Sequence, residues 1–325
     1  ERGLEGAGVP RQRWEGRKVA IVGAGAVGST FAYALAQHAF ADEIVLLDQN
    51  RELAEGQALD LAHGLPFFPP VKIRVGEVAD YADARVIVIT AGAKQSPGET
   101  RLALLKKNAA IMESIIDTIV AQGSQAVVVV VSNPVDVLTY VALKRSGWER
   151  GRIFGSGTVL DSARFRYLIS HHCEVDARNV HAYILGEHGD SQFAAWSMTH
   201  IGGIPIDAYC QTYRQRIDWY AERKGIEETV RNSAYHIIGH KGATWFAVGL
   251  ALVRIVEAVL KNQRSALTVS TLLNGQYGLA DVCLSVPCII SEKGVDQIIE
   301  GNLSPEELWL LNQSASVIKG ALSEL

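Results

Sequence analysis

The stretch Gly23-Ala24-Gly25-Ala26-Val27-Gly28 follows a short apolar run, Val19 to Val22, and leads into a segment where Val27, Phe31, Ala34 and Leu35 recur at helical spacing. That order is strand, tight turn, helix. Ile44 to Leu47 then reads as a second buried strand, and it ends at Asp48, 20 residues beyond Gly28. A GxGxxG pattern alone says little. With a strand before it, a helix after it and an acid at this distance, it has the context that a dinucleotide-binding turn requires. In that reading Gly23 permits the turn, Gly25 lets the backbone approach a pyrophosphate, and Gly28 lets the helix pack on the sheet. The helix N-terminal amides then face the anion. Asp48 would accept hydrogen bonds from the adenosine ribose and repel a 2′-phosphate, which favours NAD over NADP. The plain alternative is a glycine turn beside a surface aspartate.

The alternation continues, with Val71 to Val75, Val86 to Thr90 and Ala126 to Val131 as strands. Val127 to Val131 shows no polar alternation, as expected of a central parallel strand covered on both faces. Leu102, Leu105, Ala109, Met112, Ile116 and Ile119 step by three and four, marking one face of a long helix. The sequence therefore predicts a Rossmann-type doubly wound parallel sheet over residues 17–155, followed by a mixed α+β substrate domain over 156–325. Ligands of such sheets lie at the carboxyl ends of the strands, just past Thr90 and Val131. In the second half the pattern predicts a helix near Leu160 to Ser170 and a strand near Val180 to Leu185. Helices follow near Thr229 to Ile238 and Ala243 to Leu260. Thr268 to Leu273 and Ala280 to Leu284 flank a turn at Asn274-Gly275 and read as a β-hairpin. Ser304-Pro305-Glu306-Glu307 combines an N-cap, an early proline and a capping-box glutamate before a final apolar stripe.

Composition excludes several classes of partner. The formal net charge of −4 comes without a clustered basic surface, which argues against nucleic acid. The best apolar stretch, around Phe246 to Leu260, is interrupted by Arg254 and Glu257, so no membrane span is expected. Cys173, Cys210, Cys283 and Cys288 form no CxxC pair and no metal-like grouping with histidines, which fits reduced thiols in a cytoplasmic protein and no metal site. Residues 1–16 mix glycine with charge and show no periodicity, so a flexible tail or an arm onto another subunit is expected.

Gly186-Glu187-His188-Gly189-Asp190-Ser191 sets one titratable imidazole between glycines just after Tyr183-Ile184-Leu185. Alone, such a hexamer is equally well a solvated loop. Together with GAGAVGS at 23–29, QSPGETR at 95–101, SNPVD at 132–136 and GTVLDSARFR at 157–166, it gives five motifs in order. From about residue 17 to its end the chain resembles the lactate and malate dehydrogenase superfamily, on its L-lactate dehydrogenase side. The resemblance implies hydride transfer between NADH and the carbonyl carbon of a 2-oxo acid, here pyruvate giving L-lactate.

That chemistry requires a proton donor with a pKa near 7 beside the ketone oxygen, and His188 is the candidate. The resemblance assigns Asp161 to orient its imidazole and Arg164 to hold the substrate carboxylate with a two-pronged guanidinium. Asp161 and Arg164 lie three apart on a predicted helix, so an intrahelical salt bridge is the bland reading. Arg101, at the end of a Pro- and Gly-containing loop suited to be a lid, would polarise the carbonyl; a solvated basic loop is its alternative. By the same carry-over Asn133 donates near nicotinamide and substrate, Thr244 stands in the pocket wall, and Val27, Gly92, Ala93, Ser114 and Val131 line the cofactor groove. The Asn133-Pro134 bond is expected to be cis. Gln95 is neutral where malate-specific relatives carry arginine, which points to pyruvate over oxaloacetate.

Arg166 lies two residues after Arg164, about 200° round the helix, so the two cannot serve one pocket. In bacterial relatives the positions matching Arg166 and His181 bind fructose 1,6-bisphosphate between subunits of a homotetramer; an ion pair of Arg166 with a nearby acid is the alternative. Trp245-Phe246 departs from the tyrosine-containing pair expected after Thr244. Competing readings are a malate dehydrogenase or broad 2-oxo acid reductase and, in another class, a non-catalytic NAD-binding protein.

Overall fold

The structure, a computed structural model, describes residues 16–94, 98–214 and 218–325. The expectation for the N-terminal tail falls on residues 1–15 and that for the substrate-selecting glutamine on Gln95, all outside the described residues.

The first half alternates strand and helix as the apolar runs require: β1 (Lys18–Val22), α1 (Ala26–Ala36), β2 (Glu43–Leu47), α2 (Arg51–His63), β3 (Lys72–Val75), β4 (Val86–Ile89), α3 (Arg101–Ala121), β5 (Val127–Val130), α4 (Val135–Ser146) and β6 (Ile153–Gly155). These six strands pair in parallel in the order β6-β5-β4-β1-β2-β3. Val127 to Val130 and Val86 to Ile89 are buried throughout, because helices cover both faces. The order reverses around β1 and β4, so the carboxyl ends of these strands open a crevice.

The second half comprises α5 (Val159–Cys173), β7 (Val180–His181), β8 (Ile184–Leu185), β9 (Phe193–Ala194), β10 (His200–Ile201), β11 (Ile204–Pro205), α6 (Ile206–Tyr209), α7 (Trp219–Lys241), α8 (Phe246–Leu260), β12 (Ser265–Asn274), β13 (Ala280–Ser291), β14 (Gly294–Ile298) and α9 (Pro305–Ser323). The hairpin β12-β13 and the strand β14 extend the first sheet to nine strands, joining antiparallel through Ser270 opposite Gly155. The sheet thus runs across the glycine-marked boundary near residue 155. Otherwise the edge of β6 would be left unpaired.

Three elements differ from their sequence expectation. The strand expected over Val180 to Leu185 is two strands in two sheets, β7 pairing with β10 and β8 with β9. Helix α7 begins ten residues before Thr229: Asp218 caps it by accepting the Ala221 N–H, and the charges of residues 222–224 hide the widely spaced apolar positions Trp219, Ile226 and Val230. Of the hairpin strands, β12 is longer than expected at both ends and β13 starts as expected at Ala280 but runs on to Ser291. Helix α9 carries the expected capping box, with Ser304 Oγ accepting the Glu307 N–H and the Glu307 carboxylate accepting the Ser304 N–H. All four cysteines are buried, and none is in a disulfide among the described residues. Among the described residues no helix is long and apolar enough to cross a membrane.

Candidate active site

At Gly23 and Gly28 the glycine turn closes with no room for side chains. Gly23 takes φ +109°, and a Cβ there would lie 2.7 Å from the Ala91 nitrogen; one on Gly28 would lie 1.9 Å from the Gly23 carbonyl oxygen. At Gly25 the same test meets nothing within 4 Å. Gly25 is also the N-cap of α1, with no side chain capping the first amides. Open space over uncapped helix N–H groups suits a pyrophosphate. Asp48 Oδ2 accepts the Ala24 N–H at 2.7 Å and Oδ1 the Asn50 N–H at 2.9 Å, so the carboxylate is oriented by the turn itself at the edge of this shelf. The residues present therefore fit NAD.

The loops after β4 and β5 form the next wall. Gly92 is exposed and Ala93 half-buried, while Val131 and Asn133 reach the cavity described below. Ser132 Oγ donates to the Ala91 carbonyl at 2.5 Å. The buried Asn108 of α3 accepts the Ala93 N–H at 2.8 Å and donates to the Asn133 carbonyl at 3.2 Å. The Asn133-Pro134 peptide is cis.

Opposite these loops, α5 presents Asp161 and Arg164, and the chain leaving β8 presents His188. Thr158 Oγ1, at the N-cap of α5, donates to the Ile184 carbonyl at 2.5 Å and holds the two elements together. Gly186 pairs by backbone with Ser285 of β13, which fixes the root of the histidine loop. His188 Nδ1 lies 2.6 Å from Asp161 Oδ2, and Arg164 Nη1 lies 2.9 Å from Asp161 Oδ1. The intrahelical ion pair and the histidine contact thus coexist on one carboxylate. From behind, Asp136 Oδ2 accepts the His188 backbone N–H at 2.8 Å and Asp136 Oδ1 accepts the Ser270 hydroxyl at 2.6 Å.

Electrostatics follow from this packing. Burial alone would lower the His188 pKa, but the Asp161 carboxylate outweighs it and the net shift is upward. For Asp161, burial alone would raise the pKa, and His188 and Arg164 outweigh it to leave it below the ordinary value. Burial pushes Asp136 up to about 6, outweighing the lowering effects of Ser270 and His188.

His188, Arg164, Asn133, Val27, Val131 and Thr244 line one cavity of about 180 Å³, with Ala234 and Ile238 of α7 on its far side. An imidazole held by a carboxylate, next to a guanidinium with free N–H groups, can exchange a proton with a small anionic ligand. Arg101 is not part of this lining: it is the first residue of α3, directly after its N-cap Thr100, and is exposed. Ser114 is not brought to the site. It lies on the exposed side of α3, opposite the Leu105-Ala109-Met112 stripe, with its carbonyl accepting from Thr118. Arg166 faces away from Arg164, donating to the Ala177 carbonyl at 3.1 Å. His181 is exposed and lines a separate open cavity of about 560 Å³ with His200; Arg166 is not in that lining. Asn108, and Asp136 at the end of the SNPVD motif, join the site without a role assigned from sequence; each is a polar residue placed among buried apolar helix positions.

The profile of the lactate/malate dehydrogenase NAD-binding domain matches residues 17–155, and that of the lactate/malate dehydrogenase α/β C-terminal domain matches residues 158–325. An L-lactate dehydrogenase of Treponema denticola is 58% identical over 309 residues, covering 95% of this chain and 98% of the relative. That of Acetivibrio thermocellus is 51% identical over 309 residues, covering 95% and 97%. Among solved structures, a lactate dehydrogenase from a Medee basin deep-sea metagenome library superimposes with a TM-score of 0.93 at 43% identity, covering 95% of this chain and 98% of that one. A ligand-bound minor L-lactate dehydrogenase of Enterococcus mundtii gives a TM-score of 0.92 at 43% identity, again covering 95% and 98%. With both domain profiles matched, over residues 17–155 and 158–325, the chain belongs to the lactate/malate dehydrogenase family of NAD-dependent oxidoreductases.

Proposed function

We propose that the chain is an L-lactate dehydrogenase that interconverts pyruvate and L-lactate, with His188 moving the proton. The observation that carries the reading is the His188–Asp161 contact opening on a cavity that also holds Arg164. The glycine turn Gly23 to Gly28 and Asp48 would hold NADH, which would supply a hydride for the carbonyl carbon. Arg164 binds the carboxylate of pyruvate through guanidinium N–H groups not engaged by Asp161. Because Nδ1 of His188 is held by Asp161, Nε2 is the atom that gives the proton to the ketone oxygen and takes it back in lactate oxidation. Asn133 donates to the substrate and orients the nicotinamide, while Thr244 shapes the wall. Closure of the loop before α3 brings Arg101 to the carbonyl, where it stabilises developing negative charge and helps exclude water.

Pyruvate is favoured over oxaloacetate because Gln95 supplies no cation for a second carboxylate closed beneath the loop. The names of the relatives at 58% and 51% identity support the same substrate. A steady-state panel of pyruvate, oxaloacetate and branched 2-oxo acids tests the assignment. The wild-type protein should oxidise NADH fastest with pyruvate, and His188→Ala should lose about 10²–10⁴-fold in rate while still binding NADH. A variant as active as wild type would remove His188 from the mechanism.

By the same likeness the working form is a homotetramer of the cytoplasm, activated by fructose 1,6-bisphosphate at Arg166 and His181. The exposed His181 beside His200, well apart from the Arg164 cavity, supports a second anion site. Pyruvate saturation curves with and without the bisphosphate test it, and identical curves would count against it.

A further inference from the structure

We infer that Asn108 is a positioning residue that sets Asn133 for the reaction by tying the loops after β4 and β5 to the helix carrying Arg101. The inference rests on the lactate dehydrogenase reading above and adds to it a residue that does not line the substrate cavity.

Asn108 is 4% exposed, and its one amide group meets two demands from different loops. Its Oδ1 accepts the Ala93 N–H at 2.8 Å and its Nδ2 donates to the Asn133 carbonyl at 3.2 Å. The orientation of the amide is forced, because a backbone N–H needs an acceptor and a carbonyl needs a donor. Leucine can do neither and an ionised carboxylate only the first. With Ser132 Oγ on the Ala91 carbonyl, the two loops are stitched at a fixed separation. Loops at the open end of a parallel sheet otherwise vary most in position.

The third participant is α3. Asn108 lies seven residues after Arg101, two turns along the same helix face. The contact that fixes Asn133 therefore also fixes the rotation of α3 about its axis, and with it the direction from which Arg101 approaches. Asn133 shares the cavity with His188 and Arg164, so its backbone position sets whether its side chain meets the ligand. A displacement of about 1 Å at such a site can cost about 10²-fold in rate.

The test is Asn108→Asp. This variant keeps the acceptor for Ala93 but sets a second carboxylate oxygen against the Asn133 carbonyl. Burial without a cation raises the pKa of such a carboxyl, and the protonated form regains the missing donor. The kcat/KM of Asn108→Asp for pyruvate, taken as a ratio to wild type to cancel the titration of His188, should rise at least about fivefold between pH 8 and pH 5.5. In the cofactor-free protein, its deficit in urea midpoint should shrink over the same interval. A ratio that does not change with pH overturns the inference. If Asn108→Asp does not fold, Asn108→Leu decides: kcat at saturating NADH and pyruvate more than threefold below wild type supports the role, and a smaller loss overturns it. Turnover of pyruvate by the wild type reads the functional proposal separately, so the two can fail independently.

Discussion

His188 Nδ1 lies 2.6 Å from Asp161 Oδ2, on a carboxylate whose other oxygen is taken by Arg164. With both oxygens engaged, Asp161 holds the imidazole in one orientation and raises its pKa above the ordinary 6.5 despite burial. The sign of the pH dependence follows. Pyruvate reduction needs the imidazolium, so its kcat/KM should be level at low pH and fall as pH rises through the raised pKa; lactate oxidation should show the opposite limb. The stability contributed by this contact is likewise full below the unfolded pKa and lost as pH rises through the folded one. In Asp161→Asn the charge is gone and desolvation dominates, so the reduction limb should move to lower pH and kcat/KM should fall by about 10²-fold. An unmoved limb in pH profiles of the two proteins would dissociate Asp161 from the proton transfer.

Asp136 is 1% exposed and bridges the His188 N–H and the Ser270 hydroxyl. Asp136→Ala leaves both donors buried without a partner and should destabilise the protein by about 3 kcal/mol. Because burial raises the Asp136 pKa from 3.8 to about 6, its ionisation opposes folding, and the stability it contributes is lost as pH rises through about 6. The deficit of Asp136→Ala should therefore be larger at pH 4.5 than at pH 7.5, by about 2 kcal/mol. Urea unfolding at the two pH values checks both the size and the direction.

What could be read from the sequence follows from how local the signal is. The β1-turn-α1 unit is announced by apolar runs and by glycines whose absent side chains the packing requires, and His188, Asp161 and Arg164 came with motifs. The extension of the sheet by β12 to β14 depends on Ser270 meeting Gly155, 115 residues apart, and no local pattern carries that. Asn108 and Asp136 sit at apolar-looking helix positions, where a polar residue shows its purpose only once its partners from other elements are in place. Ser114 is the converse case: likeness to a family names a position, and helical phase puts that position on the exposed face of α3.

The two glycines of the turn should separate folding from binding. Gly28→Ala drives a Cβ into the Gly23 carbonyl oxygen, a backbone atom that cannot step aside, so the variant should lose about 1–3 kcal/mol of stability as well as NADH affinity. Gly25 has φ −71° and open space where its Cβ would go, so Gly25→Ala should fold with an unchanged or slightly raised melting temperature. Its methyl group would nonetheless occupy the approach to the helix amides, and the NADH Kd should rise at least about tenfold. Paired melting curves and NADH fluorescence titrations suffice; equal NADH affinity in Gly25→Ala and wild type would place the pyrophosphate elsewhere.

Gln95→Arg tests what selects the substrate. Under a closed loop, the second carboxylate of oxaloacetate would be stripped of water beside a neutral amide, at a cost of several kcal/mol, whereas the methyl group of pyruvate loses nothing there. A guanidinium at this position would supply a two-pronged partner for that carboxylate and be left unpaired beside the methyl group. The expected result is a rise in kcat/KM for oxaloacetate and a fall for pyruvate, shifting their ratio by at least about 10²-fold, or about 2.7 kcal/mol. The kcat for whichever substrate is used should keep its dependence on His188, since neither the amide nor the guanidinium of the selecting residue exchanges the proton. A ratio unchanged within threefold would mean that selection lies in the Thr244 side of the cavity instead, where Ala234 and Ile238 of α7 set the width.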